Sequence, residues 1–143
     1  MSSPINKTTT EIASLIPQRQ PIMMVDEYGY EDDDNCWSLL NINSDNIFLD
    51  ASGRIIVEGV LEHIAQTAAA HIGFKHRMKG EEVGLGFIGD IKRCTVSGSM
   101  PASGQSIKTR IKVMSQVNNI TMISAEAKCD DTTIVSCRMK LTD

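Results

Sequence analysis

Aromatic residues are scarce in this chain. Three Phe, two Tyr and one Trp among 143 residues make no base-stacking platform of the kind single-stranded nucleic acid needs. Positive charge is also lacking in bulk: the net charge is −4, with acids and bases interspersed, so no broad basic field awaits a phosphate backbone. No apolar run approaches the ~20 residues that cross a bilayer, and MSSPINKTTTEIASLI contains none of signal-peptide length. Nucleic acid and membrane are therefore not expected partners. The four cysteines, Cys36, Cys94, Cys129 and Cys137, include no CxxC pair, which favours small buried thiols in a reducing, cytoplasmic setting over disulfides or zinc ligands. There are three histidines, and none precedes position 63.

What is present is a globular composition, 41% hydrophobic and 22% charged, at a length that fits one domain over residues 1–143. TTTEIASLI (Thr8 to Ile16) reads as a short helix, with threonine caps and Ile12, Leu15 and Ile16 on one face, stopped by Pro17. IMMVDEYGY and CWSLLNI read as strands joined by a hairpin turn at EDDD, a run without the glycine and distal glutamate of a calcium loop. After NIFLDASGRIIVEG comes a helix from about Glu58 to Phe74. Beyond KHRMKG the period changes to two. LGFIGDIKRCTVSG, SIKTRIKVMSQV, ITMISAEAKC and TIVSCRMKL are four strands separated by SGSMPASG, Asn118-Asn119 and Asp130-Asp131. Ile107, Thr109, Ile111 and Val113 face one way, and Lys108, Arg110 and Lys112 the other.

A meander of half-wetted strands must bury its other face, and only one long helix is available to cover it. The solution is α+β: an antiparallel sheet curved around that helix. Close wrapping needs a thin helix, and Ala65, Thr67, Ala68, Ala69, Ala70 and Gly73 make it thin. Within that slim helix stands one carboxylate, Glu62. Gln66 lies one turn on and Ala69 seven positions on along the same face. Small residues above an acid leave a channel, and an acid beside an apolar groove suits proton exchange with a bound ligand. The plainer alternative is an acid favoured by the helix dipole and pointing to solvent. His63 sits about 100° around the helix from Glu62, and no HxxxH or HxxxE pair suggests a metal. The letters GLGFIG (Gly84 to Gly89) imitate a phosphate loop but fall in a strand pattern, where glycine marks a bulge.

IPQRQPIMMVDEY resembles the entry motif of the hotdog-fold 3-hydroxyacyl-[acyl carrier protein] dehydratases. VLEHIAQTAAA is similar to that family's central helix, and FLDASG looks most like the dehydratase-like subunits of aryl-polyene biosynthesis. The resemblance covers roughly Leu15 to Leu141 and implies a hotdog fold and a dimer with a continuous sheet. It implies acyl carrier protein or coenzyme A thioester substrates and no cofactor. It also implies that Glu62 exchanges a proton with the substrate's β-hydroxyl. In the family a histidine from the loop before the helix, contributed by the other protomer, removes the α-proton, and N–H groups at the helix start polarise the thioester carbonyl. The histidine's place falls at about Phe48, the family's Pro-Gly is Ile56-Val57, and Gln18 stands for the entry-motif histidine. Glu62 and Asp50 are then the candidate catalytic residues, Asp50 as a stand-in base, with Gln66, Phe48, Val57, Gly59 and Ala69 lining the acyl site. Three readings follow. The chain is the Glu-donating half of a heterodimeric dehydratase with a His-bearing partner, or an acyl thioesterase, or a catalytically silent acyl-binding or stabilising subunit. Lys75, Arg77 and Lys79, with Lys92 and Arg93, are candidates for guiding an acidic carrier, or else a solvated basic turn.

Overall fold

The alternation of β5, the strand Ser106–Val117, sets the architecture. Ile107, Thr109, Ile111 and Val113 are buried and the lysines and arginine between them exposed, so one face of the sheet looks inward and one outward. The structure, a computed structural model, describes residues 5–8, 12–81 and 87–142. Its seven strands are β1 (Ile5–Thr8), β2 (Glu27–Asp32), β3 (Asn35–Asn41), β4 (Phe87–Val96), β5, β6 (Ile120–Cys129) and β7 (Thr132–Thr142). They form one antiparallel sheet in the order β1-β2-β3-β5-β6-β7-β4. Helix α1 (Val57–Met78) lies between β3 and β4 in sequence and packs on the inner face. Every residue from His63 to Phe74 is buried, the signature of a helix covered on all sides. This is the α+β hotdog arrangement expected. The small side chains admit the sheet, while Val60, Ile64, Ile72 and Phe74 supply apolar bulk, each contributing about 1.5–3 kcal/mol on full burial.

The expected turns are where the sequence placed them. Asp33-Asp34, Asn118-Asn119 and Asp130-Asp131 close two-residue hairpins, and Asn118 and Asp130 take positive φ of 56° and 53°, a conformation Asn and Asp tolerate best after glycine. Three expectations need correction. Thr8 ends a strand and does not begin a helix; Thr9 to Glu11 lie outside the described residues. Ile12 to Ile16 makes a single turn that buries the predicted trio Ile12, Leu15 and Ile16. The strand predicted from Ile22 starts only at Glu27, because the Met24 N–H is taken by a side chain of α1 and not by a neighbouring strand. Finally, α1 runs to Met78, so Lys75, His76 and Arg77 occupy its last turn, where the helix dipole favours cations. Of GLGFIG, residues 84–86 lie outside the described residues; Gly89 sits at a register shift in β4, the bulge that a strand glycine suggested. Cys36 and Cys137 are buried free thiols, but Cys94 is exposed on β4.

Candidate functional site

Position 62 is where α1 emerges from its buried length: Glu62 is half-buried while its successor on the same face, Gln66, is fully enclosed. The Gln66 side chain has three polar contacts. Its Oε1 accepts from the Met24 N–H at 2.6 Å, and its Nε2 donates to the Ile22 carbonyl at 2.9 Å and to Glu62 Oε1 at 2.8 Å. One amide thus ties the irregular segment Ile22–Met24 to the helix and fixes the direction of the carboxylate. The other end of the same segment is held by His63, whose Nδ1–H donates to the Met24 carbonyl at 2.6 Å.

That bond sets the tautomer of His63. Its Nε2 must accept, and Thr109 Oγ1 donates at 3.0 Å. Thr67 Oγ1 donates to the His63 carbonyl, leaving Ser38 to donate to Thr67 at 2.6 Å. All four side chains are buried and all are neutral. Burial pushes the His63 imidazole down to about 4, so it is uncharged at neutral pH; its Nδ1 is held by the Met24 carbonyl and its Nε2 points into the β3–β5 side of the core. His71 is likewise spoken for, with Tyr28 donating to its Nδ1 at 2.5 Å and its Nε2 donating to the Asp33 carbonyl at 2.8 Å. Burial lowers its pKa. His76 lies at the far end of α1 beside Glu81, at 3.3 Å. No histidine of this chain stands beside Glu62.

Upstream on the Glu62 face, Gly59 has a strict steric reason. A Cβ there would stand 2.5 Å from Phe48 Cβ and 2.9 Å from Ile55 Cγ1, so Phe48 lies directly on the helix start. The Phe48 carbonyl accepts from the Ile56 N–H at 2.8 Å. No side chain caps the helix at Ile56, which leaves the Val57 N–H without a side-chain acceptor, whereas the Gly59 N–H already donates to the Ile56 carbonyl at 3.0 Å. Among the described residues, the N–H groups left open at the helix start are therefore those of Val57 and Glu58.

Two expected features are not built this way. Asp50 is exposed, and its Oδ1 accepts from Ser52 Oγ at 2.6 Å, Ser52 N at 2.8 Å and Arg54 N at 3.1 Å. The Ser52 hydroxyl and the Arg54 and Ser52 N–H groups hold its carboxyl below the usual range. These are the conditions of a turn-forming carboxylate and run against the base role expected of Asp50. The channel expected over Gln66 and Ala69 is also closed within one chain: both residues are buried, and clefts of about 370, 290 and 310 Å³ all lie elsewhere, without Glu62 on their walls. The apolar residues tied to this part of the helix are Ile22, whose carbonyl shares the Gln66 amide with Glu62, and Phe48, which lies against Gly59; Ile22 is exposed and Phe48 only partly covered. Of the basic run, Lys75 bonds the Asp33 carbonyl and Gln116, and Arg77 the Ser14 carbonyl, so these two cations brace the fold. Reading the sequence missed the His63 cluster; its only trace was Thr67 four residues after His63, a hydroxyl one turn from an imidazole.

Residues 10–143 match a family model described as ApeP-like, ApeP dehydratase. No curated protein sequence matches significantly. Among solved structures, a chain of "The Dehydratase Heterocomplex ApeI:P from Xenorhabdus doucetiae" is similar with a TM-score of 0.86 at 15% identity, over 92% of this chain and 90% of that one. The Escherichia coli PaaI protein of the phenylacetic acid degradation operon is similar at a TM-score of 0.61 and 9% identity, over 79% of each chain. A putative thioesterase, yhdA of Lactococcus lactis, is similar at 0.59 and 11%, over 76% and 80%.

Proposed function

The chain belongs to the ApeP-like dehydratase family, and from that premise we propose that it is the Glu-donating half of a composite dehydratase site acting on 3-hydroxyacyl thioesters. The observation that carries this reading is the Gln66–Glu62 pair: a half-buried acid held by a buried amide, with every histidine of the chain engaged elsewhere. A base from a second hotdog chain completes the chemistry. A neutral histidine there takes the α-proton. The C–O bond at the β-carbon breaks as Glu62 delivers its proton to the leaving hydroxyl, and water and the enoyl thioester result. The Val57 and Glu58 N–H groups are the donors available to the thioester carbonyl. Association of the X. doucetiae relative as a dehydratase heterocomplex supports a hetero-oligomer here as well. An acyl carrier protein or coenzyme A would present the acyl chain.

The test mixes the purified chain, alone and with a His-bearing hotdog partner, with a 3-hydroxyacyl thioester and follows enoyl product and free thiol together. Enoyl formation by the pair only, lost at least ~10²-fold in Glu62→Gln, is expected. Free thiol from the chain alone would replace the reading with thioester hydrolysis. Enoyl formation indifferent to Glu62→Gln would reduce the chain to a stabilising subunit.

A further inference from the structure

The outward face of the sheet, turned away from α1 and Glu62, carries an unusual charge. β4 bears Lys92 and Arg93, β5 Lys108, Arg110 and Lys112, β6 Lys128, and β7 Arg138 and Lys140; the same four strands hold only two acids, Asp90 and Glu126. That is eight cations against two anions in a protein whose net charge is −4. Ordinary solvated sheet faces alternate sign across strands, because like charges directly opposite each other destabilise the pairing. Here Lys108 faces Lys128 and Lys92 faces Arg138 in register.

Several of these charges are compensated. Lys108 sits over the Trp37 ring at 4.8 Å, Lys128 contacts Glu126 at 3.3 Å, Lys92 contacts Asp90 at 3.5 Å, and Arg110 contacts Glu31 at 2.6 Å. Arg93, Lys112 and Arg138 have no carboxylate partner among the described residues, and all three line one cleft of about 370 Å³, together with Arg110 and one acid, Glu126, whose carboxylate is already engaged by Lys128 and which pairs in register with Arg110. Lys112 and Arg138 flank Ser124 in a single cross-strand row, so their backbones stand two strand spacings, about 10 Å, apart and their long side chains can converge on one group. Ser136 and Asn35 add hydroxyl and amide donors to the wall. Arg93 reaches the cleft because the β4–β7 register shifts between Lys92 and Thr95, and it holds a φ of 52°. A non-glycine residue rarely holds the left-handed region, and bulges of this kind re-aim side chains.

We propose that this cleft binds a small ligand bearing a diphosphate. Two guanidinium groups, an ammonium and two hydroxyls offer more donors than a single carboxylate can accept, and match the several oxygens of a phosphate chain. The volume lies in the range of small-ligand sites, ~300–1,000 Å³. The site is independent of Glu62, so its failure would leave the dehydratase reading untouched.

The test is calorimetric titration of the full chain at 100 mM salt with pyrophosphate, ADP, sulfate and polyglutamate. Saturable one-site binding of pyrophosphate is expected, weakened by at least thirtyfold in the Lys112→Gln, Arg138→Gln double variant. Arg138→Gln removes the charge facing Lys92, so the unliganded variant should melt no lower than the parent. ADP binding as tightly as pyrophosphate assigns the site to a nucleotide; pyrophosphate alone assigns it to the inorganic anion, and both outcomes support the proposal. Heats that never saturate, equal affinity in the double variant, or tighter binding of polyglutamate than of pyrophosphate would overturn it, the last in favour of an acidic protein.

Discussion

Gln66 and Gly59 hold the candidate site from two sides, and each makes a distinct prediction. Replacing Gln66 by Leu strands the buried Met24 N–H, removes the donor from the part-buried Ile22 carbonyl and frees Glu62 to rotate. Each buried polar group left unpaired costs about 1–3 kcal/mol, so Gln66→Leu should lower unfolding free energy by roughly 2–4 kcal/mol in urea titration. It should also lower the turnover of a reconstituted pair. Gln66→Glu, which keeps the size but cannot donate to Glu62, should not restore that turnover. Gly59→Ala tests a steric statement. The obstructing atoms are Phe48 Cβ and Ile55 Cγ1, at 2.5 and 2.9 Å, and Phe48 Cβ is fixed to the backbone, so the helix start itself must move. A cost of about 1–3 kcal/mol is expected, and trimming Phe48 to Ala, which leaves that Cβ in place, should not recover it. A Gly59→Ala variant as stable as the parent would remove Phe48 from the helix start.

At the scale of elements, α1 was legible because its composition answers a packing problem, and the four C-terminal strands because β5 alternates so strictly. The face shared by Glu62 and Gln66 followed from spacing alone. What periodicity could not reveal is how the backbone of Ile22–Met24 is satisfied. An apolar stretch, IMMV, reads as strand, yet the Ile22 and Met23 N–H groups turn back to the Arg19 carbonyl, and the Ile22 carbonyl and both Met24 backbone groups bond Gln66 and His63 on α1, partners 39 to 44 residues away. Asp50 looked like a base because it is an acid near the right place in sequence; its commitment to Ser52 and Arg54 depends on turn geometry that spacing does not encode. The His63 cluster couples α1 to β3, β5 and the segment in one neutral network, and this gives it a pH signature. The imidazole takes up a proton at about 4 in the folded chain against an ordinary value of 6.5. Between those pH values the unfolded chain is the more protonated, so stability is complete above about 6.5, falls as pH drops toward 4 and levels off below. The change amounts to about 3 kcal/mol. Urea midpoints measured from pH 7 to pH 4 should show this slope in the parent and a flatter one in His63→Gln; equal slopes would place the acid sensitivity elsewhere.

The molecule as a whole is unfinished along one side. Among the described residues β4 ends the sheet, pairing with β7 only, and from Gly89 to Val96 every residue but the half-buried Ile91 is exposed. Register shows why this is more than an ordinary edge. Ile91 pairs with Met139 and Val96 with Val135, both buried, so these two β4 side chains point to the α1 side of the sheet; even so, Val96 remains 46% exposed. The helix is too slim to cover this last strand. A long edge with open N–H groups and an uncovered apolar inner face invites another strand, and the apolar rim formed by the exposed Ile22 and Ile47 also lacks a cover. A partner hotdog chain that pairs along β4 would extend the sheet and could close that rim in the same event, which is how a site lacking its base would acquire one. Hydrogen exchange can separate this from association through any other surface. In the isolated chain the β4 amides directed away from β7 should exchange rapidly, while those of β6, paired on both sides, stay protected. Mixing with a His-bearing partner should slow β4 selectively, together with the Phe48 and Val57 region, and Ile91→Lys should weaken the complex at least tenfold without changing β6 protection. Protection that appears at β1 instead would move the interface to the opposite edge of the sheet and leave Glu62 to act from one chain alone.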